Sequence, residues 1–347
     1  MDESSVTSET VQELVAGGGA VPDKYLYKDV PVGSTDPIPL VDIPVVDLSL
    51  LLSPSSPSAG DELDKLRLAL ATWGCFQAVN HGMSSSFLGR VREITQGVFG
   101  LPAEEKRRIS RAVDNNEGYG TDTVLFEEQV LDWTDRLCLT LLPEDRRKMR
   151  FWPEKPECFR EVLHEYSTKL SEVSEIILRA MAVSLKLEEG SFLDQFGAPG
   201  TFLARFNYYP RCPRPDAVLG LKPHADGSVL TFVLPDKEVD GLQFLKEGEW
   251  LGIRIIPDAL VINAGDQAEI MSNGAFKSPM HRAAINAYRD RISIAVFCCP
   301  LSEKEVGPIS ELIGDATPRL YRNVKNYTET NFQYYQSGRR AIEAVKI

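Results

Sequence analysis

The sequence predicts an α+β protein, with helices in its first half and a sandwich or jelly roll in its second. Three observations predict it. Apolar residues recur near helical spacing through the first half, most plainly over 156–187, at Val162, Leu170, Val173, Ile177 and Leu178. From Phe202 onward the pattern changes to short β-rich runs separated by Gly and Pro turns, the mark of a sandwich or jelly roll. The apolar fraction of 43% is ordinary and sufficient for a sizeable core.

Taken in order, residues 1–40 are polar and punctuated by Pro and Gly, and read as an arm with a short helix over 10–16. Residues 53–60, Ser-Pro-Ser-Ser-Pro-Ser-Ala-Gly, read as a surface loop. A helix is expected over 61–72, a strand over Cys75–Val79, and amphipathic helices over 85–100 and 103–111. The long helix over 156–187 closes the helical half. Strands are expected over 229–234, 242–245, 259–262 and 292–297. Asn263 to Asp266 should close a tight connection, and Gly274 supplies permissive backbone beyond it. No internal repeat is visible.

Two of the chain's four histidines fall in a pattern with a carboxylate. His224 and Asp226 are separated by one residue, and His281 follows in Ser-Pro-Met-His-Arg. On a strand, residues i and i+2 face the same side, so His224 and Asp226 can both reach one ion, with His281 as a third ligand. Two imidazoles and a carboxylate with open positions suit non-haem Fe(II) that also binds a co-substrate and O₂. Zinc accepts the same ligands. His-x-Asp alone is common by chance. His81, in a turn after a strand, and His164, inside the long helix, read as structural and exposed respectively.

Ten residues after His281, Arg291 opens the β-branched run Arg-Ile-Ser-Ile-Ala-Val-Phe. Arg291 and Ser293 again share a face. A guanidinium in a buried strand needs an anionic partner, and its planar fork binds a carboxylate bidentately. A small dicarboxylate whose other end reaches the metal is the natural guest; an internal Arg–carboxylate salt bridge is the alternative. Upstream, Asn207 and Tyr209 form a third i, i+2 pair, on a strand-like segment that ends at Pro210.

These pieces resemble the plant 2-oxoglutarate- and Fe(II)-dependent dioxygenases, the group that includes flavonoid-, gibberellin- and alkaloid-oxidising enzymes. Ile43 to Leu48 and Trp73 to Gly82 resemble the group's N-terminal signature. Gly118-Tyr119-Gly120 and Leu131-Asp132-Trp133 resemble its middle. Asn207 to Pro210, His224-x-Asp226, Asn263 to Asp266, Ser272-Asn273-Gly274, His281-Arg282 and Arg291-x-Ser293 resemble its catalytic core. The nearest branch is the senescence-related and alkaloid-demethylase-like one, including cereal enzymes that oxidise herbicides. Cys75, Ala225, Ala264 and Ala268 depart from the usual residues, and none of these removes a ligand.

The resemblance implies a double-stranded β-helix (jelly-roll) core with N-terminal and flanking helices. It divides the chain into an N-terminal arm (1–40), an N-terminal dioxygenase region (41–155), a long helix and connection (156–200), the Fe(II)/2-oxoglutarate core (201–305) and a C-terminal helical segment (306–347). His224, Asp226 and His281 would hold Fe(II). Arg291 and Ser293, assisted by Tyr209 and Asn207, would hold 2-oxoglutarate. O₂ is the oxidant and ascorbate the reductant. Succinate and CO₂ are released as the substrate is hydroxylated, or demethylated with loss of formaldehyde. Asp266 belongs to a structural turn and is not counted as a ligand.

Arg205, Phe297, Cys299, Arg136 and Cys138 are expected to wall the substrate pocket, with Phe126 and Leu139 behind them. Such walls suit an apolar, ring-bearing specialised metabolite, hormone or xenobiotic. Arg205 or Arg136 could meet an acidic or phenolic group, or could pair with carboxylates such as Asp132 or Asp135; both readings stay open. A catalytically idle binding protein on the same fold and a His₂Asp zinc hydrolase are the competing classes.

The net charge of −12 argues against nucleic acid or an anionic membrane as partner. No apolar stretch reaches membrane-span length. The acidic start, Met-Asp-Glu-Ser-Ser, resembles neither a secretory signal nor a transit peptide. The six cysteines show no Cys-x-x-Cys spacing, which suits free thiols in a reducing cytoplasm. A monomer is expected.

Overall fold

The computed structural model describes residues 9–27, 38–52, 57–112, 116–121, 124, 129–197 and 200–347. Its helices are α1 (Val11–Ala16), α2 (Leu48–Leu51), α3 (Pro57–Thr72), α4 (Ser85–Phe99), α5 (Ala103–Arg108), α6 (Phe159–Ser184), α7 (Ser191–Phe196), α8 (Asp266–Met271) and α9 (Tyr327–Gln336). Its strands are β1 (Leu40–Val41), β2 (Val45–Asp47), β3 (Cys75–Val79), β4 (Gly118–Gly120), β5 (Asp135–Leu142), β6 (Thr201–Tyr209), β7 (Leu221–His224) and β8 (Leu230–Leu234). They continue with β9 (Leu242–Lys246), β10 (Glu249–Ile253), β11 (Leu260–Ala264), β12 (His281–Ala283), β13 (Arg291–Cys299), β14 (Glu305–Val306) and β15 (Val324–Lys325).

Two sheets make the sandwich. The larger runs β2-β3-β11-β8-β13-β6-β5-β4, and the smaller runs β1-β10-β9-β12-β7. This is the expected α+β jelly-roll architecture. Because side chains alternate along a strand, each strand of the large sheet faces two ways. Leu137, Leu139, Ala204, Phe206, Ile294 and Val296 point outward into one continuous core with Leu66 and Leu70 of α3, Leu88 and Val91 of α4, and Leu163, Tyr166 and Leu170 of α6. The alternate residues face the smaller sheet. Leu139 is therefore a core residue and not a pocket wall.

Several expectations shift at their edges. Helix α3 begins at Pro57, inside the expected loop, because a proline is tolerated in a helix's first turn, where its missing N–H loses no bond. Helix α6 is shorter than the expected span at both ends. Strand β5 was not expected at all. The C-terminal segment holds the two-stranded β14–β15 ribbon as well as α9. The N-terminal arm carries α1, capped by Thr10, and its Val11 and Leu14 pack with Trp133 and Tyr209.

Candidate active site

Strands β7 and β12 are antiparallel neighbours, and their register sets His224 directly opposite His281. Their ring centroids lie 4.2 Å apart. Strand β7 ends at His224, so Asp226 reaches the same point from the following loop and not from the strand itself. Asp226 Oδ1 lies 3.6 Å from the Nε2 of each imidazole. One ligand atom from each of the three residues falls within 4.8 Å of the others.

Each of these groups is aimed by a second bond. His224 Nδ1 is 2.7 Å from the Lys222 carbonyl, and His281 Nδ1 is 3.1 Å from the Pro279 carbonyl. A carbonyl can only accept, so the ring proton sits on Nδ1 and each Nε2 lone pair faces inward. Asn263 Nδ2 donates to Asp226 Oδ2 at 2.9 Å, which leaves Oδ1 for an ion. Burial, and then His281, push the His224 imidazole down to about 3. Burial acts to raise the Asp226 carboxyl, but His281, His224 and the Asn263 bond outweigh it and hold it below the usual range. Neutral imidazole beside carboxylate is the protonation state that divalent iron requires. The residues present fit such an ion.

The loop carrying Asp226 is clamped from two sides. A side chain at Gly265 would strike the Ser228 carbonyl at 2.2 Å, and one at Gly227 would strike Asn331 Cβ of α9 at 2.6 Å. Close approach lets the Asp266 N–H donate to the Asp226 carbonyl at 2.7 Å, and Gln267 Nε2 to the Gly227 carbonyl at 2.7 Å. Asp266 itself is buried and accepts from Tyr327, so it ties α9 to this loop.

The facing sheet supplies the rest in cross-strand rows. Arg291 lies opposite Tyr209, and Ser293 opposite Asn207. Asn207 in turn lies opposite Arg136, and Arg205 opposite Cys138. Arg291 is buried, with Nε and Nη1 lacking any hydrogen-bond partner among the described residues, and its guanidinium stands 5.0 Å over the Tyr209 ring. Tyr209 Oη and Ser293 Oγ are 3.4 Å apart. Arg291, Ser293 and Tyr209 line a narrow cavity of about 50 Å³ that also reaches His224, Asp226 and His281. An orphaned guanidinium at one end and three metal-capable groups at the other match a small dicarboxylate that chelates an ion. Asn207 lines this cavity too, but its carbonyl oxygen accepts from Arg205 Nε at 2.8 Å, so it orients Arg205.

A larger cavity of about 270 Å³ also reaches His224 and Asp226. Arg205, Phe297, Cys299, Arg136 and Cys138 all line it. Phe126 lies outside the described residues. Burial pushes the Cys299 thiol up to about 12, so it is an apolar wall and not a thiolate. The sequence reading missed the opposite wall, where α9 contributes Thr328, Asn331, Phe332 and Tyr335. Their spacing of three, one and three residues is one helical face, and two aromatics on one face of a terminal helix were the available signal. Tyr335 stands edge-on to His224 at 5.1 Å and donates to Asp132 Oδ2. His81 is structural, as expected: it accepts from the Met83 N–H at 3.2 Å and bonds the Asp258 carbonyl at 2.8 Å.

Comparison with known proteins agrees with this geometry. Residues 201–300 match the 2OG-Fe(II) oxygenase superfamily, and residues 43–155 match the N-terminal part of non-haem dioxygenases in morphine synthesis. Codeine O-demethylase of Papaver somniferum is 41% identical over 280 residues, 81% of this chain and 78% of that protein. Protein SRG1 of Arabidopsis thaliana is 35% identical over 351 residues, 99% of this chain and 98% of that protein. Oxoglutarate-dependent flavonoid 7-O-demethylase 1 of Ocimum basilicum is 36% identical over 346 residues, 99% and 92% of the two chains. Among solved structures, JOX2 in complex with 2OG, Fe and JA superposes with a TM-score of 0.88 at 32% identity, covering 98% of both chains. The chain belongs to the 2OG-Fe(II) oxygenase superfamily and is a 2-oxoglutarate-dependent dioxygenase, an oxidoreductase of small molecules.

Proposed function

We propose that His224, Asp226 and His281 hold the Fe(II), that Arg291, Ser293 and Tyr209 seat the far carboxylate of 2-oxoglutarate, and that the larger cavity takes a ring-bearing, largely apolar metabolite, hormone or xenobiotic. The observation that carries this reading is the buried, unbonded Arg291 lining one narrow cavity with the three metal-capable groups. Bound Fe(II) supplies the activation of O₂ that couples decarboxylation of 2-oxoglutarate to oxidation of the substrate. The protein's residues do the positioning. Carbonyls of Lys222 and Pro279 fix the two imidazoles, and Asn263 fixes the carboxylate. Phe297, Leu203 and Phe332 present apolar walls that exclude water from the reacting substrate.

Hydroxylation is the basic outcome. Two of the relatives above are O-demethylases by name, which makes O-demethylation with release of formaldehyde the first variant to test. We take Arg136, Arg205, Cys138, Phe297 and Cys299 as substrate walls, and ascorbate as the reductant that keeps the iron ferrous. The segments 1–40, 41–155, 156–200, 201–305 and 306–347 are read as arm, N-terminal region, long helix, catalytic core and C-terminal segment. Six free cysteines suit a monomer in the reducing cytoplasm. The net charge of −12 weighs against nucleic acid and anionic membranes, and among the described residues no helix is long and apolar enough to cross a membrane.

The test is succinate formation by iron-loaded protein given 2-oxoglutarate, O₂ and ascorbate, with and without a panel of plant small molecules. Iron-dependent succinate, stimulated by one compound whose mass then shifts, is the expected result. His224→Ala should abolish iron-dependent succinate formation, and full turnover by that variant would refute the ligand assignment.

A further inference from the structure

The larger cavity contains a charge that the reading so far does not use. Arg136 sits on β5 with its side chain turned inward, only 3% exposed, and lines this cavity. Two carboxylates close to it in sequence were its natural partners, and both are engaged elsewhere. Asp132 accepts from the Lys222 N–H at 2.8 Å and from Tyr335, and Lys222 Nζ lies 3.5 Å from it. Asp135, on the opposite face of β5, accepts from the Val11 and Gln12 N–H groups at 2.8 and 3.0 Å. Arg136 itself reaches only Cys138 Sγ and the Asn116 carbonyl, at 2.8 and 3.5 Å, both through Nη1. Its Nε and Nη2 are buried with no hydrogen-bond partner among the described residues.

Those two nitrogens share one edge of the guanidinium plane. Their N–H bonds are parallel, which is the geometry that meets the two oxygens of a carboxylate at once. A buried cation without such a partner is costly to keep, so a fold that keeps one at a cavity wall has a ligand that neutralises it. Cys138, Leu203, Phe297 and Phe332 give the cavity apolar walls, beside polar ones that include Arg205, Thr328, Glu329 and Asn331. Arg291 is not an alternative host for this anion, because it faces the narrow cavity assigned to 2-oxoglutarate.

We propose that the primary substrate is a carboxylic acid with a ring-bearing apolar body, and that Arg136 binds its carboxylate through the Nε–Nη2 edge. This rests on the assignment of the two cavities made above. Tethering the acid at β5 leaves the apolar body to extend along Phe297 toward His224 and Asp226, so oxidation falls on a carbon remote from the carboxylate.

The test uses holoprotein with Fe(II) and saturating 2-oxoglutarate under anaerobic conditions, and compares naphthylacetate and biphenylacetate with their methyl esters by equilibrium dialysis. The acids should bind about tenfold or more tighter than the esters, as expected for a charge-assisted pair in a buried site. Arg136→Met and Arg136→Gln should both erase that preference. Equal binding of acid and ester, binding of neither acid, or an acid preference that survives both substitutions would overturn the proposal. Each of those results can arise in a protein that still binds Fe(II) and forms succinate. Failure of wild-type protein to do either would instead sink the assignment of the metal and co-substrate site, and this proposal with it.

Discussion

At the scale of single residues, the proposed site depends as much on the groups that aim the three metal-capable side chains as on those side chains. Asn263 occupies one oxygen of Asp226, and two main-chain carbonyls fix which nitrogen of each histidine faces inward. Loss of such supporting bonds weakens metal affinity by about 10- to 100-fold in well-formed sites. Asn263→Ala should therefore weaken Fe(II) binding by about that factor in anaerobic titration, with the fold intact by circular dichroism. An unchanged affinity would show that Asp226 needs no second bond. Arg291 makes a complementary case. Lysine preserves the charge but not the planar fork, so Arg291→Lys should raise the KM for 2-oxoglutarate about tenfold or more. The affinity for Fe(II) should be unaffected, because Arg291 is not among the metal-capable groups. If both constants move together, Arg291 is supporting the fold and not the co-substrate.

At the scale of elements, α1 is held to the large sheet by a buried carboxylate. Asp135 accepts from the first two N–H groups of α1, and Tyr119 and Lys106 lie beside it. Burial still dominates and pushes the Asp135 carboxyl up from 3.8 to about 6. Between those values the folded chain binds more protons than the unfolded chain, so this group's contribution to stability falls as pH rises and is gone above about 6. Asp135→Asn removes the titration. Melting curves across about pH 4 to 7 should show wild type losing stability relative to the variant, and parallel curves would contradict the assignment. The elements also separate what the sequence reveals from what it conceals. The pairs Arg291/Ser293 and Asn207/Tyr209 were legible because alternation on a strand is a local rule, whereas His224 and Asp226 were legible as a His-x-Asp pattern even though Asp226 lies past the end of β7. Strand β5 was missed although Leu137, Leu139 and Leu141 alternate with Arg136, Cys138 and Thr140; most of both its faces is buried, so it lacks the polar, solvent-facing side that marks an ordinary half-buried strand. Helix α9 could be expected as a helix, but its place in the cavity depends on contacts such as Tyr335 to Asp132, 203 residues apart.

At the scale of the whole molecule, the proposed assignment has the two sheets contribute different halves of one binding event. His224 and His281 come from the small sheet, and Arg291, Ser293 and Tyr209 come from the large one. A 2-oxoglutarate molecule chelating the ion and resting on Arg291 therefore spans the gap between sheets. Arg291 has two buried nitrogens without hydrogen-bond partners among the described residues, across that gap from the His224, Asp226 and His281 cluster, and on the proposed reading the bound co-substrate would neutralise them. Binding to the folded state alone raises stability by mass action, by about 2.7 kcal/mol when free ligand stands at 100 times its Kd. Scanning calorimetry under anaerobic conditions should show a small rise in Tm with Fe(II) and a further rise when 2-oxoglutarate is added. Without metal, 2-oxoglutarate should give little, because only its far carboxylate has a host. Arg291→Lys should keep the response to Fe(II) and lose most of the increment from 2-oxoglutarate, while His224→Ala should lose both. A full response to 2-oxoglutarate in metal-free protein would show that the co-substrate is held by one sheet alone, and the bridge between the sheets would have to be abandoned.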